Sequence, residues 1–215
     1  MARPSCHMAR SSRRWLPCAF AALIAACGSS VETNLVSDDA GDRMAAIAHV
    51  KQLPADERAR IVAYLGDVIR NPTTHQQRAR NPETHAVEDL IQMPESAGPA
   101  LPALIDLIEG NLSPAVTANI FAREGAFDVI AAMGPAAQPA LPRLAQFIRK
   151  EQPGSHRGQL ALKTMILIGD PAVEQLKMLA ADPAIQYPQT RDFYIQALQS
   201  IGTATAQQAL AELGP

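Results

Sequence analysis

The chain reads MPESAGPALPALIDLI at residues 93–108 and MGPAAQPALPRLAQFI at residues 133–148. The tetrapeptide Pro-Ala-Leu-Pro falls at 99–102 and again at 139–142, and the apolar positions around it align without a gap. A weaker copy lies upstream around Leu53, and Ile-Gly pairs follow downstream. Because a spacing of 33–40 residues is typical of repeat architectures, we expect about five stacked units in this chain.

Each unit is predicted to be two helices joined by a tight turn. Before Gly134, residues such as Ile120, Phe121 and Phe127 recur at helical spacing, and the pattern resumes after Pro135. Gly134 suits the left-handed conformation that ends a helix, and Pro135 cannot continue one. The prolines of the second Pro-Ala-Leu-Pro are expected in the first turn of the next helix. No stretch alternates with period two, so the predicted fold class is all-α without a sheet.

The repeat resembles HEAT repeats, particularly the bacterial kind with Gly-x-x-Ala-x-x-Ala-Leu-type turns. The resemblance covers residues 43–215 and is strongest at 125–180, where the Gly-Pro turn and the second Pro-Ala-Leu-Pro lie. It implies an α-solenoid of about five HEAT-like helical hairpins, in which stacked neighbours bury the apolar faces that one hairpin cannot bury alone. An unpatterned helical bundle is the alternative. The first unit lacks the turn glycine, having Leu53-Pro54 in its place.

The first 26 residues have the layout of a bacterial secretory signal. Four arginines without an acidic neighbour precede an apolar run at 15–26. About a dozen apolar residues are too few to span a membrane, which needs roughly 20, and a short run behind a basic head is typical of a signal peptide. Translation could begin at Met1 or at Met8, since each starts a Met-Ala-Arg triplet.

The apolar run ends in Ile24-Ala25-Ala26-Cys27, which resembles the lipobox of bacterial lipoproteins. The resemblance implies cleavage before Cys27, lipidation of its sulfur and anchoring in a bilayer of the bacterial cell envelope. Gly28 mildly favours the outer membrane, because Asp at this place retains lipoproteins at the inner one in enterobacterial-type sorting. An ordinary signal peptide with a chance cysteine is the alternative. Cys6 and Cys18 would leave with the signal, so no free thiol would remain.

The predicted organisation has three parts: a signal peptide at 1–26, a lipid-anchored flexible tether at 27–42, and the repeat domain at 43–215. The tether is predicted from its small, polar and acidic residues. The chain is 47% hydrophobic, which excludes an intrinsically disordered protein. Losing the signal removes four arginines and no acid, which changes the net charge from −2 to −6 and argues against a nucleic-acid partner.

Chemistry-bearing motifs are scarce, so neither an enzyme nor a cofactor is predicted. No glycine-rich phosphate loop, Gly-x-Ser-x-Gly elbow or His-Glu-x-x-His occurs in the sequence. The segments Asn-Pro-Thr-Thr-His75 and Asn-Pro-Glu-Thr-His85 lie ten residues apart, and Glu88 follows one helical turn after His85. His75, His85 and Glu88 could therefore form a metal site. We favour the simpler interpretation of two helix starts, with Asn capping and Pro in the first turn.

Basic residues concentrate in two segments. The first segment, residues 58–82, contains only one acidic residue. Its arginines are the candidate binding residues: Arg58, Arg60, Arg70, Arg78 and Arg80. The second contains Arg143, Arg149, Lys150 and Arg157. A solenoid could align such residues into a groove for an acidic peptide, a lipid headgroup or a glycan. A solvated helix face without a partner is the alternative.

These observations favour a non-catalytic envelope lipoprotein that mediates protein–protein interaction or scaffolding through its repeat surface. A metal-dependent enzyme accessory using His75, His85 and Glu88 is the first alternative. A structural lipoprotein that tethers the membrane to the cell wall is the second.

Overall fold

The computed structural model describes residues 31–76, 79–183 and 188–214, and their regular secondary structure is entirely helical. The all-α prediction is confirmed for this part of the chain. The predicted signal peptide at 1–26, the lipidation site Cys27 and the candidate binding residue Arg78 lie outside the described residues. No helix of the described part is long and apolar enough to cross a membrane.

A helical stretch at 31–35 comes first. The α-helices that follow are α1 (Ala40–Val50), α2 (Ala55–Arg70), α3 (Pro82–Ile91), α4 (Leu101–Glu109), α5 (Pro114–Thr117), α6 (Ile120–Ala132), α7 (Leu141–Glu151), α8 (His156–Ile168), α9 (Val173–Ala180), α10 (Pro188–Ile201) and α11 (Ala204–Leu213). Short 3-10 helices stand between some of them, at Pro72–Thr74, Pro94–Ser96, Gly98–Ala100, Gly134–Ala140 and Asp170–Ala172.

The helices from α2 onward form two rows. In one row α3, α6, α8 and α10 contact each other in that order, and in the other α2, α4, α7, α9 and α11 do so. One hydrophobic cluster runs through both rows, with fully buried residues such as Leu65, Leu104, Ile130 and Leu198. Each helix therefore buries its apolar face against its neighbours in the stack.

The helix pairs with the most extensive contacts are displaced by one helix from the predicted hairpins. We expected the helices on either side of Gly134, α6 and α7, to form one hairpin, but α4 packs on α6 and α7 packs on α8. The seven-residue 3-10 helix Gly134–Ala140 lies between α6 and α7, which still touch through the rings of Phe127 and Phe147. At Gly202, where no 3-10 helix intervenes, α10 and α11 do pack together.

The predicted turn glycines adopt the left-handed conformation. The φ angles of Gly134, Gly169 and Gly202 are 54°, 82° and 69°. Pro142 lies in the first turn of α7, as expected, whereas Pro139 belongs to the preceding 3-10 helix. The repeat pattern thus located the turns correctly and missed the length of the 3-10 helix within one of them.

The prediction of a flexible tether at 27–42 is wrong for residues 31–42. Val31, Leu35 and Val36 are buried in the hydrophobic cluster. The spacing of Val31 and Leu35 puts both on one face of a helical turn. The helix α1 then begins at Ala40, capped by the Asp39 side chain, which accepts hydrogen bonds from the backbone N–H groups of Gly41 and Asp42. The folded body therefore begins no later than residue 31.

Candidate functional site

The first basic segment is spread over the surface. Arg58 and Arg60 lie near the start of α2 and Arg70 lies at its end, so Arg58 and Arg70 are roughly 18 Å apart along the helix axis. Arg80 is exposed in the loop before α3. Arg58 Nη1 donates to the Lys51 carbonyl at 3.4 Å, while Arg70 pairs with an acidic residue of another helix. The structure therefore does not gather the described members of the set, since even Arg58 and Arg60, two residues apart on α2, do not share a helix face.

Arginines of the second basic segment bind acidic residues of neighbouring helices. Arg143 Nη2 lies 2.8 Å from Asp106 Oδ1 and 2.5 Å from Glu109 Oε2. Arg70 reaches the other oxygen of Asp106 at 3.3 Å. The hydrogen bonds that Arg143 donates to Glu109 and Asp106 raise its pKa above its ordinary value. This Asp106 network (Arg70, Asp106, Glu109 and Arg143) links α2, α4 and α7, so its cations are already compensated within the protein.

The structure brings together two of the three candidate metal ligands, His85 and Glu88. His85 Nδ1 lies 3.4 Å from Glu88 Oε2, as their spacing predicted, and His85 Nε2 lies 3.1 Å from Asp38 Oδ1. His75 instead packs edge-on against Tyr64, with Nδ1 3.4 Å from the phenol oxygen. Within the described ranges, no group of three or more His, Cys, Asp or Glu side chains is placed to hold a metal ion.

The two Asn-Pro pairs were predicted to open helices, with Pro in the first turn and Asn as the cap. The prediction is correct for the prolines and wrong for the asparagine caps. Pro72 opens a 3-10 helix and Pro82 opens α3. Neither asparagine side chain caps the helix that follows it. The side chain of Asn71 donates instead to Asp67 Oδ1 at 2.9 Å.

A buried carboxylate lies beside His85 and was not foreseen. Asp89 is 2% exposed, with Oδ1 3.6 Å from Arg43 Nε. Burial raises the pKa of Asp89 to about 8, against the attraction of Arg43. Its Oδ2 has no hydrogen-bond partner among the described residues. The burial of Asp89 could have been predicted from helical spacing. Asp89 follows Ala86 by three residues, so the two share a helix face, and Ala86 is buried.

The strongest candidate site is an open cleft of about 270 Å³ between α6 and α8. Its apolar walls come from Phe127 and Leu160, and Arg123, Arg157 and the Glu124–His156 pair supply its polar groups. Ile120, at its edge, is 61% exposed. We name this feature the α6–α8 cleft.

Both helices of the cleft begin at side-chain caps. Asn119 Oδ1 accepts a hydrogen bond from the Ala122 N–H, and its Nδ2 donates to Glu83 Oε1 at 2.7 Å. Ser155 Oγ accepts from the Gly158 N–H at 3.0 Å. A Cβ at Gly158 would lie 1.9 Å from the Gln152 carbonyl oxygen, so only glycine fits there. These contacts fix the first turns of α6 and α8, which carry the arginines of the cleft.

The two arginines of the cleft differ in how they are compensated. Arg157 donates to Glu151 Oε1 and to the Ile108 carbonyl, both at 2.6 Å, and its guanidinium lies 4.7 Å from the centre of the Phe147 ring. Burial, and next the nearby positive charge of Arg123, lower the pKa of Arg157. Burial thus disfavours the charged form of Arg157 even with a carboxylate beside it.

Arg123 forms no ion pair with any described residue. Its Nη1 donates to the Thr117 carbonyl at 2.8 Å, and its Nε is buried without an acceptor among the described residues. Sequence reasoning missed Arg123 because Glu124 follows it directly, which makes the local charge neutral. In the structure Glu124 Oε1 instead accepts a hydrogen bond from His156 Nε2 at 2.8 Å. A part-buried cation thus lies in the cleft without a counter-ion.

Two apolar side chains that helical spacing placed with the core are on the surface. Ile120 and Phe121 are 61% and 82% exposed. Both lie in the first turn of α6, whose buried residues begin at Ala122. Ile120 lines the α6–α8 cleft, and Phe121 follows it in the same helical turn.

No model of a known protein family matches this chain, and a search among curated proteins finds no match either.

Proposed function

We propose that this protein is a non-catalytic lipoprotein of the bacterial cell envelope that binds a protein partner through a HEAT-like α-solenoid. The observation that carries the proposal is the arrangement of α2 to α11 in two rows, where each helix contacts its neighbours along the stack. Such neighbour-to-neighbour packing is typical of solenoids, whose extended surfaces serve as binding platforms. The absence of a convergent catalytic constellation in the sequence also favours a binding role.

The proposed membrane anchor is lipid on Cys27, after removal of residues 1–26. The basic head, the short apolar run and the Ile-Ala-Ala-Cys sequence support this assignment. Several acyl chains together would give stable anchoring, since each buried methylene contributes about 0.8 kcal/mol. Gly28 favours the outer membrane over the inner one.

The early start of the folded body bears on how such an anchor would hold it. Val31 is already buried, and four residues reach at most about 14 Å when fully extended. A lipid on Cys27 would therefore keep the first helices within about that distance of the bilayer surface. We accordingly propose a body held close to the membrane, rather than one suspended on a long tether.

Two measurements test this proposal. The intact mass of the membrane-extracted protein is compared with that of a Cys27→Ser variant. We expect the parent to lack residues 1–26 and to carry lipid, and the variant to carry none. Cross-linking in isolated envelopes, followed by purification, is then expected to recover one specific protein partner.

An unmodified, soluble full-length chain would overturn the anchor. Recovery of no specific protein, together with co-sedimentation with purified peptidoglycan, would overturn the partner and favour a structural link to the cell wall.

A further inference from the structure

The α6–α8 cleft combines an uncompensated cation with exposed apolar surface. Arg123 has no ion pair among the described residues, and Arg157 lies close enough to it that, after burial, the charge of Arg123 lowers the pKa of Arg157. Phe127 and Leu160 wall the cleft, and Ile120 lies exposed at its edge. A carboxylate at Arg123 would supply the missing counter-ion and would be bound in a partly desolvated place, where charged hydrogen bonds are strong.

We propose that the α6–α8 cleft binds an aspartate or glutamate side chain of a partner polypeptide, next to an apolar residue that packs on Ile120 and Phe121. The inference rests on the proposed function, because it presupposes a protein partner. The guanidinium of Arg123 donates to the carboxylate, and the two exposed side chains of α6 lose water-accessible apolar surface.

The shape of the cleft favours a polypeptide over a free small anion. Its volume of about 270 Å³ falls below the 300–1,000 Å³ of typical small-molecule sites, and it is open rather than enclosed. A small carboxylate would leave Phe121, which is 82% exposed, uncovered. A segment with an acidic and an apolar side chain covers both features at once, as do the anchor residues of protein interfaces.

The residues around Arg123 allow an acidic side chain to approach. Glu124 is the carboxylate in the wall of the cleft, and its Oε1 is bound by His156 at 2.8 Å. Glu151 is engaged by Arg157. The nearest negative charges therefore have partners of their own, while Arg123 keeps unused N–H donors. The caps at Asn119 and Ser155 hold both helices in place, so binding requires little ordering of the protein.

The test is a titration of the full-length, detergent-extracted protein with two labelled peptides, followed by fluorescence anisotropy. The first peptide is an acetylated and amidated octapeptide that alternates Leu and Glu, and the second carries Gln in place of every Glu. We expect saturable binding of the Glu peptide and binding at least roughly tenfold weaker for the Gln peptide. Sodium acetate at the same carboxylate concentration is expected to compete weakly, because it cannot cover Phe121.

Variants locate the binding site. Arg123→Gln is expected to weaken binding of the Glu peptide roughly tenfold or more, and Phe121→Ser roughly three- to tenfold. Arg123→Lys keeps the charge without the planar fork, so an intermediate loss is expected. Lys163→Gln is the matched control and should bind like the parent, because Lys163 is an exposed cation of α8 that does not line the cleft. Circular dichroism spectra that match the parent establish that each variant is folded.

Equal binding of the two peptides, or undiminished binding to folded Arg123→Gln, would overturn the inference. So would a failure of the Glu peptide to bind while the envelope partner is still captured equally by the parent and Arg123→Gln. That last result would leave the proposed function intact. Failure of the proposed function has a different signature, namely an unlipidated chain or an envelope without a specific partner.

Discussion

The amino-terminal end of the helix stack and its repeated middle are both tied together by charged side chains, but under different conditions of burial. At the end, Asp89 of α3 is 2% exposed and faces Arg43 of α1. In the middle, Arg143 of α7 and Asp106 of α4 keep 36% and 25% of their side-chain surface in contact with solvent. A hydrated pair keeps its charges at little cost and contributes little, whereas a buried carboxylate needs excellent geometry to be stabilising. The comparison indicates that the Arg43–Asp89 pair at the end is removed from water, whereas the Arg143–Asp106 pair in the middle is not.

The amino-terminal end of the stack is covered by the segment 31–36 and α1, which together form the amino-terminal cover. The segment 31–36 and α1 bury Leu35, Val36 and Val50. Arg43 fastens this cover, since Nη1 donates to the Ser37 carbonyl at 2.9 Å and Nη2 to Glu88 at 3.1 Å. Arg43 thereby also lies against Asp89, with Nε 3.6 Å from Oδ1.

The largest effect is expected from Asp89→Asn, measured as the free energy of unfolding between pH 5 and pH 8. An unfolded chain releases the Asp89 proton near 3.8, whereas the folded one keeps it until about 8. Between these values the folded state binds more protons, so the parent loses stability as the pH rises, by up to roughly 1.4 kcal/mol per unit. Asn mimics the protonated acid, and we expect it to stabilise the protein by several kcal/mol at pH 8, with about 5 kcal/mol as the upper bound set by the difference between the two pKa values.

Glu95→Gln is the control for this experiment, since Glu95 is exposed and is not among the groups that shift the pKa of Asp89. It should keep the pH slope of the parent. If Asp89→Asn and the parent show the same slope, Asp89 is hydrated in solution and the contrast with the Asp106 network disappears.

The next largest effect is expected from Leu35→Ala, which tests whether the segment 31–36 belongs to the folded body. Leu35 is fully buried. We expect Leu35→Ala to cost roughly 2–4 kcal/mol of unfolding free energy, from lost transfer energy and the cavity that remains. Met44→Ala on α1 is the matched control, because Met44 is largely exposed. Denaturant midpoints that are equal for the two variants would restore the flexible tether predicted from the sequence.

A smaller effect is expected from two glycines in the repeated middle, which differ in backbone conformation but not in the space available for a side chain. A Cβ would meet no atom within 4 Å at either Gly134 or Gly98, but only Gly134 has a left-handed φ, of 54°. We therefore expect Gly134→Ala to destabilise the protein by roughly 1 kcal/mol and Gly98→Ala to stabilise it by about 0.4–1 kcal/mol. Thermal melts decide this. If both variants shift the melting temperature in the same direction, Gly134 does not need its left-handed conformation.

Sequence reasoning succeeded where one local rule decides the structure. The positive φ angles at Gly134, Gly169 and Gly202 follow from helix-ending glycines, and the all-α class follows from the apolar spacing. It failed where several distant segments decide together. The contact of Asp89 with Arg43 joins α3 to α1, and the lack of a counter-ion at Arg123 depends on Glu124 turning to His156 of another helix. Neither arrangement has a signature in the neighbouring residues.

The smallest effect is expected in the Asp106 network, and it completes the comparison. Arg143 has two acidic partners, so Asp106→Asn leaves it paired with Glu109. A double-mutant cycle of Asp106→Asn and Arg143→Met should therefore give a coupling energy of at most about 1 kcal/mol at low salt, and less at high salt, because the pair is part-exposed and screened. The Asp89→Asn effect, by contrast, should persist at high salt, since desolvation is its main cause. A coupling energy of several kcal/mol that is insensitive to salt would show that the middle of the stack, like its end, depends on charges removed from water.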